Sequence, residues 1–197
     1  VPPHAVSYAP FDPGSRMALT ATLRKAELQI SDMDRGYYAA HSLTLAQHPS
    51  ETDQRLMARL LTFGLYAEER LLFGKGLSSD DEPDLWRMDY TGAIEQWIEV
   101  GQPDESRVRK ACGRARSVVV ANYGGRAADI WWDKNASALG KLKQVQVIDL
   151  PADAVAAAAE LIQRSMRFDV MIQDGEVQWL GDSGNVVFVP TVRKAAA

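Results

Sequence analysis

Cysteine is almost missing from this sequence. Cys112 is the only one, which excludes an internal disulfide and any zinc site built from several thiolates. Histidine is nearly as scarce: His4, His41 and His48 are the three present, and their separations match no metal-ligand spacing. No stretch approaches the roughly 18 uncharged apolar residues that a membrane helix needs. Positive charge is not in excess either, since 22 Lys and Arg against 26 Asp and Glu leave a net charge of −4. Bulk charge therefore does not draw the chain to nucleic acid, although a local basic groove remains open. No phosphate loop, dinucleotide fingerprint or Ser-His-Asp arrangement stands out, and Gly124-Gly125-Arg126 is too short to be one. These absences lead us to expect a cytoplasmic protein with no membrane partner.

What is present is an ordinary globular composition. The chain has 197 residues, 46% of them apolar, which suffices for one well-buried core and is short for two. Residues 1–16 stand apart. They carry four of the nine prolines, have neither helical nor strand periodicity, and run into Met17-Ala18-Leu19. We read Met17 as a native start and 1–16 as a leader foreign to the fold, the rival reading being a disordered arm. Residues 17–197 are expected to form a single domain.

From Met17 to His48 apolar and polar residues alternate around a turn at Asp32-Met33-Asp34-Arg35-Gly36, the pattern of two antiparallel strands. Ser50 is the expected N-cap of a helix running to about residue 72, with Glu51 and Asp53 suited to its positive end. Asp84–Tyr90 and Ala93–Gly101 read as a hairpin. Pro103 opens a basic helix over about 104–116, and the run Val118-Val119-Val120-Ala121 suits a strand buried on both faces. Another strand over Val145–Leu150 and a helix over Ala152–Arg164 follow. From Phe168 the pattern is a β-meander with turns at Asp174-Gly175 and Asp182-Ser183-Gly184. The order of elements is that of a mixed α/β (α+β) domain.

The hairpin carries the one constellation with geometry behind it. With a two-residue turn at Thr91-Gly92, or a four-residue loop over 90–93, paired positions sum to 183. Asp84 then falls opposite Glu99 and Trp86 opposite Trp97; a three-residue loop would break this register. Two carboxylates facing each other across strands, with Cβ atoms about 5 Å apart, repel unless something positive lies between them. Mg²⁺ or Mn²⁺ is one candidate, being a hard cation that prefers oxygen ligands. A lysine or arginine at a solvated sheet edge is the other. Glu95 lies on the Glu99 face but farther along the hairpin, and Asp89 would replace Asp84 as the likelier ligand only in the other register.

His48-Pro49-Ser50-Glu51-Thr52, Asp81-Glu82-Pro83, Trp97-Ile98-Glu99-Val100-Gly101 and Trp131-Trp132 occur in an order and spacing that resemble those of the YaeQ family, from about Met17 to about Val192. The resemblance implies a variant of the restriction-endonuclease-like fold of the PD-(D/E)XK superfamily: a mixed sheet flanked by helices, here with extra N-terminal and C-terminal antiparallel strands. It implies that Asp84 and Glu99 are the two metal-binding acids, with Glu51 an additional one. Two residues beyond Glu99 the superfamily has a lysine, and this chain has Gly101. Gln102 and Lys110 are then the candidates to orient a water or a scissile phosphate.

Arg107, Lys110 and Arg114 share one face of the basic helix and could contact phosphates. Cys112 falls on its apolar stripe as a small buried hydrophobe, and of Trp131 and Trp132 one is expected buried and one partly exposed. Two functions follow. One is a Mg- or Mn-dependent phosphodiesterase acting on nucleic acid, or a descendant of one. The other is a non-catalytic module that binds nucleic acid, or a protein of the transcription or repair machinery.

Overall fold

The computed structural model describes residues 21–75 and 81–197; the expected leader and part of the acidic run before Pro83 lie outside them. The strands and helices, in chain order, are β1 (Thr22–Asp32), β2 (Tyr37–Gln47), α1 (Asp53–Tyr66), β3 (Leu71–Phe73), β4 (Leu85–Met88), β5 (Ile94–Val100), α2 (Glu105–Cys112), β6 (Ala115–Asn122), α3 (Arg126–Leu139), β7 (Val145–Asp149), α4 (Ala152–Ala159), β8 (Ser165–Gln173), β9 (Glu176–Gly181), β10 (Gly184–Phe188) and β11 (Thr191–Lys194).

The strands form two mixed sheets. The extra strands expected at the two ends of the chain build a sheet of their own, ordered β10-β9-β8-β1-β2 and closed by a parallel pairing of β1 with β8. The second sheet is ordered β11-β7-β6-β5-β4-β3, with β5, β6 and β7 parallel. The meander is real over β8 to β10, but β11 leaves it to pair with β7. Alternation of small hydrophobics sets the first sheet's inner face: Ala26, Leu28 and Ile30 are buried while Lys25, Glu27 and Gln29 are exposed.

That inner face, α1, α4 and one face of the second sheet share a continuous core that includes Leu28, Phe63, Val119, Val155 and Trp179. The opposite face of the second sheet packs Trp97, Val118 and Val120 against Val108 and Ala111 of α2 and Trp131 and Leu139 of α3. The second sheet is thus covered on both sides, which explains the unbroken valine run of β6.

Local boundaries differ from the sequence reading for identifiable reasons. Thr52, not Ser50, caps α1, its Oγ1 accepting from Arg55 N at 3.2 Å; Ser50 is taken up by the His48 ring. The helix stops at Tyr66, and Leu71–Phe73 pairs with β4 instead of extending it. Gly113 ends α2 early, freeing Ala115 to start β6. Among the described residues no helix is long and apolar enough to cross a membrane.

Candidate functional site

The β4–β5 hairpin keeps the expected register where it matters, by a route not foreseen. Leu85 pairs with Ile98, Trp86 with Trp97 and Arg87 with Gln96, all summing to 183, but Met88 pairs with Ile94. Asp89 N donates to Ala93 O, so the loop is the three-residue segment 90–92. Glu95 is an extra residue in β5 that restores the register. Asp89 serves this loop: its Oδ1 accepts from the backbone of Thr91 and Ala93. Glu95 pairs with Arg70 and Arg87 at the same end, away from Glu99.

Three buried carboxylates come to the other end: Glu51, Asp84 and Glu99 are 6%, 3% and 4% exposed. Glu51 lies in the turn before α1. Asp84 just precedes β4, and Glu99 is near the end of β5. Each holds an arginine. Arg55 of α1 donates to Glu51 Oε1 at 2.8 Å and to Asp84 Oδ1 at 2.6 Å. Arg59, one turn on, donates Nη1 to both Glu51 oxygens at 3.0 and 3.1 Å. Val100 N donates to the other Asp84 oxygen at 2.8 Å. Glu99 Oε1 accepts from Trp97 Nε1 and from Arg107 Nε of α2, each at 2.7 Å. Asp84 is therefore held by α1 and Glu99 by α2, helices on opposite faces of the sheet.

Burial pushes the Glu99 carboxyl above its ordinary range; Trp97 and Arg107 pull it down, and the charge of Asp84 pushes it up. Tyr123, at the end of β6, has its phenol raised by burial, eased by Arg55 and reinforced by Asp84 and Glu51. It too belongs to this end of the sheet.

Gln102 donates to the Asn122 side chain and, at 2.5 Å, to Tyr123 O, which fixes its amide to the end of β6. Gly101 has φ +107, a conformation that costs any residue with a Cβ. A lysine there would sit on a strained backbone, which is why glycine suits this position. Lys110 Nζ contacts Asp81 Oδ1 at 2.7 Å, Arg114 donates to Asp81 O at 3.0 Å and lies 5.1 Å from the Trp97 ring centroid, and Arg107 also reaches Glu82 O. Arg114 does not share the helix face expected of it, because α2 ends at Cys112; it lies two residues beyond, and with Arg107 and Lys110 of α2 it is turned toward residues 81–82 and the Glu99 strand.

A divalent cation is implied by the resemblance, and its fit can be judged from the donors. Both Asp84 oxygens and both Glu51 oxygens are engaged by protein donors, and guanidinium groups take the positions where a cation would bind. Among the described residues no three His, Cys, Asp or Glu side chains are grouped to hold an ion. With these side-chain positions the residues do not fit a metal. Three carboxylates stand against three guanidiniums, so the cluster balances its own charge.

Arg55 and Arg59 were missed from sequence, yet a signal exists. Glu51, just before α1, and Arg55 and Arg59 within its apolar run recur every four residues, the spacing of one helix face. The remaining candidates are structural: His41 shares a 3.0 Å hydrogen bond with Tyr37, and Cys112 is half-buried at the rim of its cluster. Trp131 is buried, donating to Pro103 O, and Trp132 is half-buried.

A family model described as YaeQ protein matches residues 17–190. Proteins described as uncharacterized protein YaeQ from Escherichia coli (strain K12) and Shigella flexneri are each 45% identical to this chain over 170 residues, 86% of this chain and 93% of theirs. The crystal structure of YaeQ protein from Xanthomonas axonopodis pv. citri superposes with a TM-score of 0.87 at 66% identity, covering 89% of this chain and 99% of that one. The crystal structure of YaeQ protein from Pseudomonas syringae gives 0.85 at 35% identity, covering 89% and 97%. The residues that the family model matches include β1 to β10 and Glu51, Asp84 and Glu99, and the chain belongs to the YaeQ family.

Proposed function

We propose that this chain is a nucleic-acid-binding module whose nuclease-type carboxylate site is neutralised by its own arginines and does not turn over. The carrying observation is the balanced cluster: Arg55, Arg59 and Arg107 hold Glu51, Asp84 and Glu99. Displacing a guanidinium from a buried carboxylate is costly, on the order of several kcal/mol, which disfavours metal entry. The binding surface is the basic side of α2 and the residues just after it, where Arg107, Lys110 and Arg114 all reach residues 81–82 and the Lys110 side chain is 57% exposed.

A second reading has its own support. Burial is the main cause that raises the Glu99 carboxyl, and the charge of Asp84 adds to it, a repulsion that a cation would relieve. In that reading the chain is a PD-(D/E)XK phosphodiesterase in which Asp84, Glu99 and Glu51 hold Mg²⁺ or Mn²⁺ and Gln102 or Lys110 orients the reacting groups.

One pair of measurements decides between them: Mn²⁺ calorimetry on the wild type and Glu99→Ala, and anisotropy of a labelled oligonucleotide across a salt series. The module should give no Mn²⁺ heat. Its oligonucleotide affinity should fall when Arg107, Lys110 and Arg114 are neutralised, with the salt slope reduced by roughly one per lost phosphate contact. Mn²⁺ binding that disappears in Glu99→Ala would overturn the self-neutralised module and establish the carboxylate metal site that the phosphodiesterase reading requires.

A further inference from the structure

The four sheet edges are treated very differently. Three end strands are short: β3 has 3 residues, β11 has 4 and β10 has 5. Short edges offer little template for pairing. The fourth, β2, has 11 residues. It contains no Asp, Glu, Lys, Arg or Pro, and it pairs with β1 without a bulge from Tyr37 to Gln47. Short length, charge, proline and a bulge, four common devices for protecting an edge, are all missing from it. Among the described residues no strand pairs with its outer side.

The burial of β2 fits an open edge. Its inward-facing Tyr37, Ala39, His41 and Leu43 are only half-buried, whereas Ala26, Leu28 and Ile30 on the neighbouring β1 are at most 1% exposed. The outward-facing Tyr38, Ala40, Ser42, Thr44 and Ala46 are all exposed.

We infer that β2 is a homodimer edge, pairing antiparallel with β2 of a second copy across a two-fold axis at Ser42 to give a ten-stranded sheet. A two-fold contact requires that the patch complement itself, and this strand does. With the axis at Ser42, Tyr37 faces Gln47, Ala39 faces Leu45, His41 faces Leu43, Tyr38 faces Ala46 and Ala40 faces Thr44. Inner residues meet inner residues, and no like charges oppose. A charged peptide partner gains nothing from an edge without charge, whereas a copy of the same strand meets only small, apolar and hydroxyl groups.

The contact is modest. Eleven residues at about 3.4 Å each, in a layer about 10 Å thick, cover roughly 400 Å² per partner. The total, roughly 800 Å², lies below the range of about 1,200–2,000 Å² for stable specific interfaces and is that of a weak, transient contact, so the dimer should dissociate on dilution.

Sedimentation velocity of the full chain over a dilution series tests this. The wild type should pass from two chains to one. Ala40→Lys/Thr44→Lys sets two lysine pairs across the axis and should weaken association at least about tenfold. Ala40→Lys/Thr44→Glu sets two opposite-charge pairs there and should restore it. Both positions are exposed, so each variant should retain the wild-type circular dichroism. A wild type that is monomeric throughout, a lysine pair without effect, or a Lys/Glu variant as dissociated as the Lys/Lys one would each overturn the proposal. So would a monomer whose β2 amides resist hydrogen exchange as fully as those of β1, since another segment would then cover the edge.

Discussion

At Glu99 burial and local charge act in opposite directions, and burial prevails: the folded carboxyl holds its proton to higher pH than an exposed one. The sign of the stability effect follows. Between the ordinary value of 4.5 and the higher folded value, the native state binds more protons than the unfolded chain, so stability falls as pH rises through that window. Below it there is no penalty; above it the full penalty applies. Glu99→Gln removes this titration while keeping an acceptor near Trp97 and Arg107. Denaturant unfolding of both proteins from pH 4 to 7 should show the difference moving in favour of glutamine as pH rises. A difference flat with pH would mean that Glu99 titrates as an exposed acid. Gly101 illustrates the limit of reading at this scale. That a glycine follows Val100 was visible in the sequence, but the φ of +107 that favours it is a property of how β5 leaves the sheet.

The hairpin shows the same limit one level up. An assumed turn at Thr91-Gly92 placed Trp86 opposite Trp97, and the structure agrees. The loop was read as two or four residues; it has three, and Glu95 absorbs the difference. Two departures cancel because both sheet faces are buried and only one register lets Trp97 and Ile98 keep to their own sides. Glu95→Ala loses pairs with Arg70 and Arg87, half-buried contacts together worth about 1 kcal/mol. Deleting Glu95 loses the same pairs and the bend of the bulge, but Ile94 and Gln96 still face Met88 and Arg87, so residues 96–100 keep their faces and the cost should stay at about 2 kcal/mol. Loss of cooperative unfolding in the deletion variant, measured in urea, would mean that the register depends on the bulge. The short β3 was illegible for a complementary reason. Its three residues continue a helical stripe in sequence, and only pairing with Leu85–Arg87 makes them a strand.

For the whole molecule, what periodicity could not reveal is what joins distant parts of the chain. β1 pairs with β8 at a separation of about 140 residues, and this contact makes two sheets of what read as one sheet with extra strands. The carboxylate cluster has the same character, since its acids were legible as a strand pair and a helix-entry residue while their cations come from elsewhere. Arg59 is the strongest test of that cluster. It is 2% exposed, donates to both Glu51 oxygens, and its Nε lies 3.8 Å from Asp84 Oδ1. Arg59→Met leaves two buried carboxylates with Arg55 alone, and should cost about 3 kcal/mol or more. Glu51→Leu/Arg59→Met removes one charge of each sign, leaves the Arg55–Asp84 pair balanced, and should be more stable than the single variant, because a pair replaced together leaves no orphaned charge. If the cluster is a self-neutralising scaffold, the double variant also keeps its oligonucleotide affinity, as the α2 face is untouched. A double variant less stable than Arg59→Met would show Glu51 working independently of its arginine. The charge balance on which the binding-module reading rests would then be lost.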